Sequence, residues 1–223
     1  MKSPFQILLL FLFLTCCNHN ENEHSEHKKT NTEISSNSYL ENFQQPDFVN
    51  IKIDSFKNFG ELVKKMQELS CAKKSIGLNF NQNDTIFKLT GWADCPNSGI
   101  NSCYFNRNTM VIKNDSVKNY SGDFDKLKHI KNLGNEISKI STINYHFQYN
   151  KNILRPAIIH LYIENSYPIA KTKEVLKQVV KEFKKVNYEN EKNFFRYNII
   201  FESYNLLNIP PPPPNALDKI ELD

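Results

Sequence analysis

Ala157-Ile158-Ile159-His160-Leu161-Tyr162-Ile163-Glu164, followed by Pro168 and the run to Val186, is the stretch that decides the fold. The first eight residues are rich in branched aliphatic side chains and too few for a stable helix. They read as a strand, placed centrally in a sheet. Pro168 then opens a helix in its first turn, where a missing N–H costs nothing. Val175, Leu176, Val179, Val180, Phe183 and Val186 recur at helical spacing and form one apolar face, with lysines between them on the wet face. His160 interrupts the apolar strand and reads as a satisfied core or face histidine.

Toward the C-terminus, Phe194 to Tyr204 reads as the last strand. Its alternation is imperfect, because Arg196, Asn198 and Glu202 share a face with Phe194 and Ile200. Pro210 to Pro214 then form a polyproline II spacer of roughly 15 Å. Toward the N-terminus, Ile143, Tyr145, Phe147 and Tyr149 alternate with polar residues and predict a half-buried strand. The spacing of Phe124, Leu127, Ile130, Leu133, Ile137 and Ile140 predicts a helix over Asp123 to Ile140. Thr109 to Lys113 and Ser116 to Tyr120 form a hairpin through Asn114-Asp115.

Earlier still, Ile76 to Phe80 and Thr85 to Trp92 form a hairpin across Asn81 to Asp84. Phe56, Phe59, Leu62, Val63, Met66 and Leu69 predict a helix over Asp54 to Ser70, capped by Asp54 or Ser55. The expected class is α+β, with about three amphipathic helices packed on a mixed or antiparallel sheet of short strands.

The first residues have a different character. Lys2 precedes an apolar run, Ile7 to Leu14, too short for the roughly 20 apolar residues that span a bilayer and consistent with a cleavable signal. Leu14-Thr15-Cys16-Cys17 resembles the lipobox of bacterial lipoproteins. That resemblance implies cleavage between Cys16 and Cys17 and acylation of Cys17. Asn18 to Gln45 is polar and of low complexity, and three of the six histidines (His19, His24, His27) fall in it. It reads as a disordered spacer. The expected organisation is a signal peptide over 1–16, a lipid-anchored spacer over 17–45, an α+β domain over 46–204 and a Pro-rich tail over 205–223.

Five cysteines are present. With Cys17 acylated, Cys71, Cys95 and Cys103 remain in an oxidising compartment. Cys95 and Cys103 bracket a turn-rich loop and are expected to form a disulfide. Cys71 is then a buried thiol, or the partner of one of the others. No metal site is expected, since no CxxC or paired histidine accompanies them.

Chemistry-bearing motifs are scarce. The chain has no GxSxG, HExxH, Walker or GxGxxG sequence, and only six glycines. A net charge of +4 comes from scattered lysines with no basic stripe, which argues against nucleic acid as a partner. No catalytic residue and no cofactor is assigned.

Residues 108 to 202, and above all Ile158 to Ile169, resemble the periplasmic domain of the ExbD/TolR biopolymer-transport family. The resemblance implies the fold and a binding role. It does not imply energy transduction, because Phe5 to Leu14 contains none of the acidic residues that couple that family to proton flow. The expected function is a lipid-anchored envelope protein with a non-catalytic binding domain and an envelope protein partner, held to the membrane through Cys17. The alternative is an envelope hydrolase whose site is assembled from distant residues.

Overall fold

The computed structural model describes residues 32–96, 108–121, 126–142, 153–189 and 194–208. The chain divides into two units, Met1–Thr30 and Asn31–Asp223, and every described residue belongs to the second. The signal segment with Cys16 and Cys17, the strand expected over 143–149, Cys103 and residues 209–223 of the Pro-rich tail lie outside the described residues.

The second unit is α+β, and its described residues form four helices and two mixed sheets. In chain order the strands are β1 (Thr32–Ser35), β2 (Phe48–Lys52), β3 (Ser75–Gln82), β4 (Thr85–Thr90), β5 (Thr109–Lys113), β6 (Ser116–Asn119), β7 (Lys128–His129), β8 (Leu154–Tyr162) and β9 (Phe195–Phe201). The helices are α1 (Asn37–Asn42), α2 (Phe59–Cys71), α3 (Leu133–Thr142) and α4 (Ile169–Tyr188). One sheet has the order β1-β4-β3-β2, the other β7-β6-β5-β8-β9.

The second sheet follows from the two runs that flank Pro168. β8 is central, parallel to β5 on one side and β9 on the other. Parallel neighbours need a crossover, and α3 and α4 supply the two required. Ala157, Ile159 and Leu161 of β8 and Phe195, Ile199 and Phe201 of β9 are all essentially inaccessible. The apolar face of α4 covers this layer, with the Phe183 ring 5.2 Å from that of Phe195 and 4.3 Å from that of Tyr197. Burying each such ring stabilises by roughly 1.5–3 kcal/mol. Pro168 caps α4 without a side-chain bond, and the next N–H, of Ile169, reaches the Lys57 carbonyl at 2.9 Å.

Both hairpins form where expected. Asn83 and Asp84 have φ of 51° and 55°, the pair of left-handed residues that a two-residue hairpin turn requires. Asn114 has φ 54° and fastens its turn to the end of β8, accepting the Glu164 N–H at 3.0 Å.

Several expectations need correction. The first helix begins at Phe59, not Asp54. Asn58 caps it, accepting the Glu61 N–H at 3.0 Å, while Glu61 reaches back to the Lys57 N–H at 2.9 Å. Ile53 to Ser55 instead form a single 3₁₀ turn that sends Ile53 into the core, and Asp54 turns away to meet Lys173 and the Asn81 N–H. The second helix begins at Leu133, after β7 and a turn. Leu127 is 52 % exposed and does not belong to the apolar stripe.

The expected spacer also ends sooner. Residues 32–45 fold: β1 pairs in parallel with β4, and Ser36 caps α1 by accepting the Tyr39 N–H at 3.2 Å. Tyr39 anchors this segment in an otherwise polar stretch, buried with its ring 5.4 Å from Phe48.

The disulfide joins Cys95 to Cys71, with Cα atoms 5.0 Å apart, in place of the expected Cys95–Cys103 bridge. The hairpin β3–β4 brings the chain back beside the C-terminus of α2, so a residue 24 positions distant is close in space.

Candidate functional site at the seam of the two sheets

Among the described residues, the two sheets meet at a parallel bridge, Trp92 to Ile200. The Trp92 N–H donates to the Ile199 carbonyl at 3.0 Å, and the Phe201 N–H donates to the Trp92 carbonyl at 2.8 Å. Alternation along β4 fixes the side on which this happens. The Gly91 N–H points to Ile76 of β3, so the Trp92 N–H points the opposite way. That is the edge along which β1 pairs, since the Ser36 N–H bonds the Lys88 carbonyl. β1 therefore leaves this edge of β4 where β9 takes it over, and α1 begins in the gap.

Two groups of polar side chains gather at the seam. The first lies on the face that includes Ile200. Register pairs His160 with Ile200, and Glu202 is two residues further along that face. His160 Nδ1 lies 2.7 Å from Glu202 Oε1, with both side chains largely buried. The Glu202 N–H is held by the Leu161 carbonyl at 2.9 Å. Asp94 follows Trp92 in the same direction. Burial raises its carboxyl above the ordinary value, Glu202 adds to the rise and His160 opposes it. Burial likewise raises the Tyr204 phenol, reinforced by Glu202 and Asp94. This is an acidic cluster with one imidazole to offset it. Among the described residues, no serine, threonine or cysteine is hydrogen-bonded to His160.

The second group lines a cleft of about 310 Å³ between α1, α4 and the first half of β9. Ser36 and Asn37 from the start of α1 form one wall, and the buried Val180 and Phe183 of α4 lie behind its floor. Arg196 reaches from β9 to Glu41 of α1 in a fork, at 2.6 and 3.1 Å. Tyr197 lines the cleft with its hydroxyl buried and without a hydrogen bond of normal geometry. Burial pushes this phenol far above its ordinary value, and the neighbouring Ser36 offsets only part of the rise.

Of the residues singled out from sequence, the structure brings together only some. Cys95 joins Cys71, Trp92 stands at the seam and His160 has a partner. Among the described residues, no group of three His, Cys, Asp or Glu side chains is placed to hold a metal ion. No described helix is long and apolar enough to cross a membrane. Glu202, Asp94, Ser36 and Tyr197 were not foreseen as site residues. The broken alternation of 194–204 was the one signal for Glu202, because a charge on a strand face needs a partner there.

Comparison of the chain with protein-family models, with curated proteins and with solved structures returns no match.

Proposed function

We propose that this chain is a lipid-anchored envelope protein, acylated at Cys17, whose α+β domain binds a partner and carries out no catalysis. The observation that supports this reading most is the Cys71–Cys95 disulfide. Disulfides persist in oxidising compartments, as export by the N-terminal segment requires. The same bond removes the Cys71 thiol as a nucleophile. Polar side chains of the domain are largely engaged with one another, as in His160–Glu202 and Lys171–Asp115. The proposed kinship of residues 108–202 with ExbD/TolR periplasmic domains points the same way, to a binding role.

The anchor is tested by Cys17→Ala in the producing cell. Fatty-acid labelling should vanish and the protein should leave the membrane fraction. Labelled, membrane-bound Cys17→Ala protein would overturn the anchor. Crosslinking of the wild-type protein in intact envelopes tests the second half, where recovery of no envelope component would count against a binding role.

A further inference from the structure

We propose that the pocket at the C-terminal ends of β8 and β9 binds the ammonium group of a small amine or free amino acid. This goes beyond partner binding and does not depend on the anchor.

Topology places the pocket. β8 and β9 are parallel neighbours that end at Tyr162 and Phe201. A space of about 210 Å³ opens just past those ends, between Tyr162, Glu202 and the α2 residues Gly60, Lys64 and Gln67. The three α2 positions are four and three residues apart and share one face of the helix. In open sheets of parallel strands, the carboxyl ends of the strands are where ligands bind.

Glu202 then selects the charge. The residue is 8 % exposed, and its Oε1 lies 2.7 Å from His160 Nδ1. The other oxygen, Oε2, has no hydrogen-bond partner among the described residues, yet it is not sealed from solvent. A largely buried carboxylate with one oxygen open gains most from an N⁺–H donor, which completes it with a charge-assisted bond. Asp94 adds negative potential beside Glu202. Tyr162, partly buried with its ring 6.3 Å from that of Phe59, gives the pocket an aromatic wall, which also attracts a cation. A bare metal ion is not matched, since among the described residues no three His, Cys, Asp or Glu side chains converge to hold one.

At the rim, Lys64 is exposed and makes no ion pair among the described residues, so its ammonium is open to the carboxylate of an amino acid. The volume lies below the range of drug-sized ligand sites and suits a molecule of a few heavy atoms.

The test is titration calorimetry on the full chain at pH 7 with alanine, ethylamine and propionate. Saturable binding of alanine or ethylamine without binding of propionate supports the proposal. If alanine binds more tightly than ethylamine, the ligand is the free amino acid, and Lys64→Met should bring alanine down to the level of ethylamine. If the two bind equally, the ligand is the amine. Glu202→Gln should weaken binding about tenfold, the loss of one charge-assisted hydrogen bond. Gln67→Phe, at a partly exposed helix position, fills the pocket and should block binding without lowering the melting temperature, so it decides the matter if Glu202→Gln does not fold. Binding of neither amine, equal binding of propionate, or wild-type affinity in folded Glu202→Gln or Gln67→Phe would overturn the proposal. If both amines fail while an envelope partner is crosslinked, this site falls and the partner-binding reading stands. If an amine binds and no envelope component is crosslinked, the reverse holds.

Discussion

Trp92 and Ile200 form a parallel bridge that links the two sheets. Around it the interior is tightly filled. A Cβ added at Gly91 would lie 2.5 Å from Cε2 of Phe201 and 3.3 Å from Cδ1 of Leu78. Phe201 has little room to yield, because it is buried and its ring stacks 5.8 Å from that of Phe59. Gly91→Ala should therefore destabilise by about 1–3 kcal/mol through overpacking. Denaturant unfolding with an unchanged midpoint would show that the seam has slack.

The disulfide closes a loop between residues 24 apart. In the chain-entropy account a loop of this size contributes about 3 kcal/mol. Reduction, or Cys71→Ser, should lower stability by roughly that amount. Non-reducing peptide mapping should recover Cys71 linked to Cys95. Recovery of Cys95 linked to Cys103 would show that the other pairing forms.

Glu136 gives the domain an acid-labile point. Its side chain is 4 % exposed and meets Lys128 at 2.6 Å, Lys139 at 3.2 Å and Asn119 at 3.3 Å. Burial pushes its carboxyl up, but these three partners outweigh burial and hold it below the ordinary 4.5. A depressed folded-state value means the stabilisation is complete above the unfolded value and is lost as pH falls through the folded one. Glu136→Gln should cost about 1–3 kcal/mol at pH 7, since it removes the charge from a buried side chain that is hydrogen-bonded to Lys128, Lys139 and Asn119. The gap between variant and wild type should narrow as pH drops below 4.5. Parallel unfolding curves at pH 7 and pH 3 check this, and a gap that stays constant would contradict it.

Asp94 has the opposite sign. Its carboxyl is raised from 3.8, first by partial desolvation beside the seam and then by Glu202. The folded state then holds the proton more tightly than the unfolded state, so stability falls as pH rises from the ordinary value through the raised one. Asp94→Asn removes that dependence. At pH 7 it should be at least as stable as wild type, by no more than about 0.5 kcal/mol at this exposed position. A clear loss of stability would mean that the carboxylate makes a favourable contact at the seam.

Much of the second sheet was legible from residues 157–186, because a strand with both faces covered and a helix with one apolar stripe have distinct periods. Both hairpin turns were legible for a similar local reason: Asn and Asp accept positive φ where most residues do not. Helix starts were less legible. The apolar spacing of Phe56 continues that of Phe59, yet Asn58 lies between them and takes the cap.

The site was largely hidden. Ser36 lies about 160 positions from the adjacent Arg196 and Tyr197, and they meet only because β1 and β9 share one edge of β4. No local pattern encodes that meeting. Cys71 shows the same limit in reverse. Short sequence distance favours Cys103 as the partner of Cys95, but the hairpin return past α2 makes Cys71 the neighbour.

What the amino-acid sequence determined by itself is what depends on period and local torsion: the α+β class, the buried strand at 157–164, the amphipathic helix after Pro168 and the turns. What only the tertiary structure decided is what depends on register and edge. That includes the seam at Trp92, the pairing of His160 with Glu202, the folding of residues 32–45 and the cleft lined by Tyr197. The physical reason is that edge pairing is a contest among whole strands, and its outcome rests on packing that no short segment carries alone.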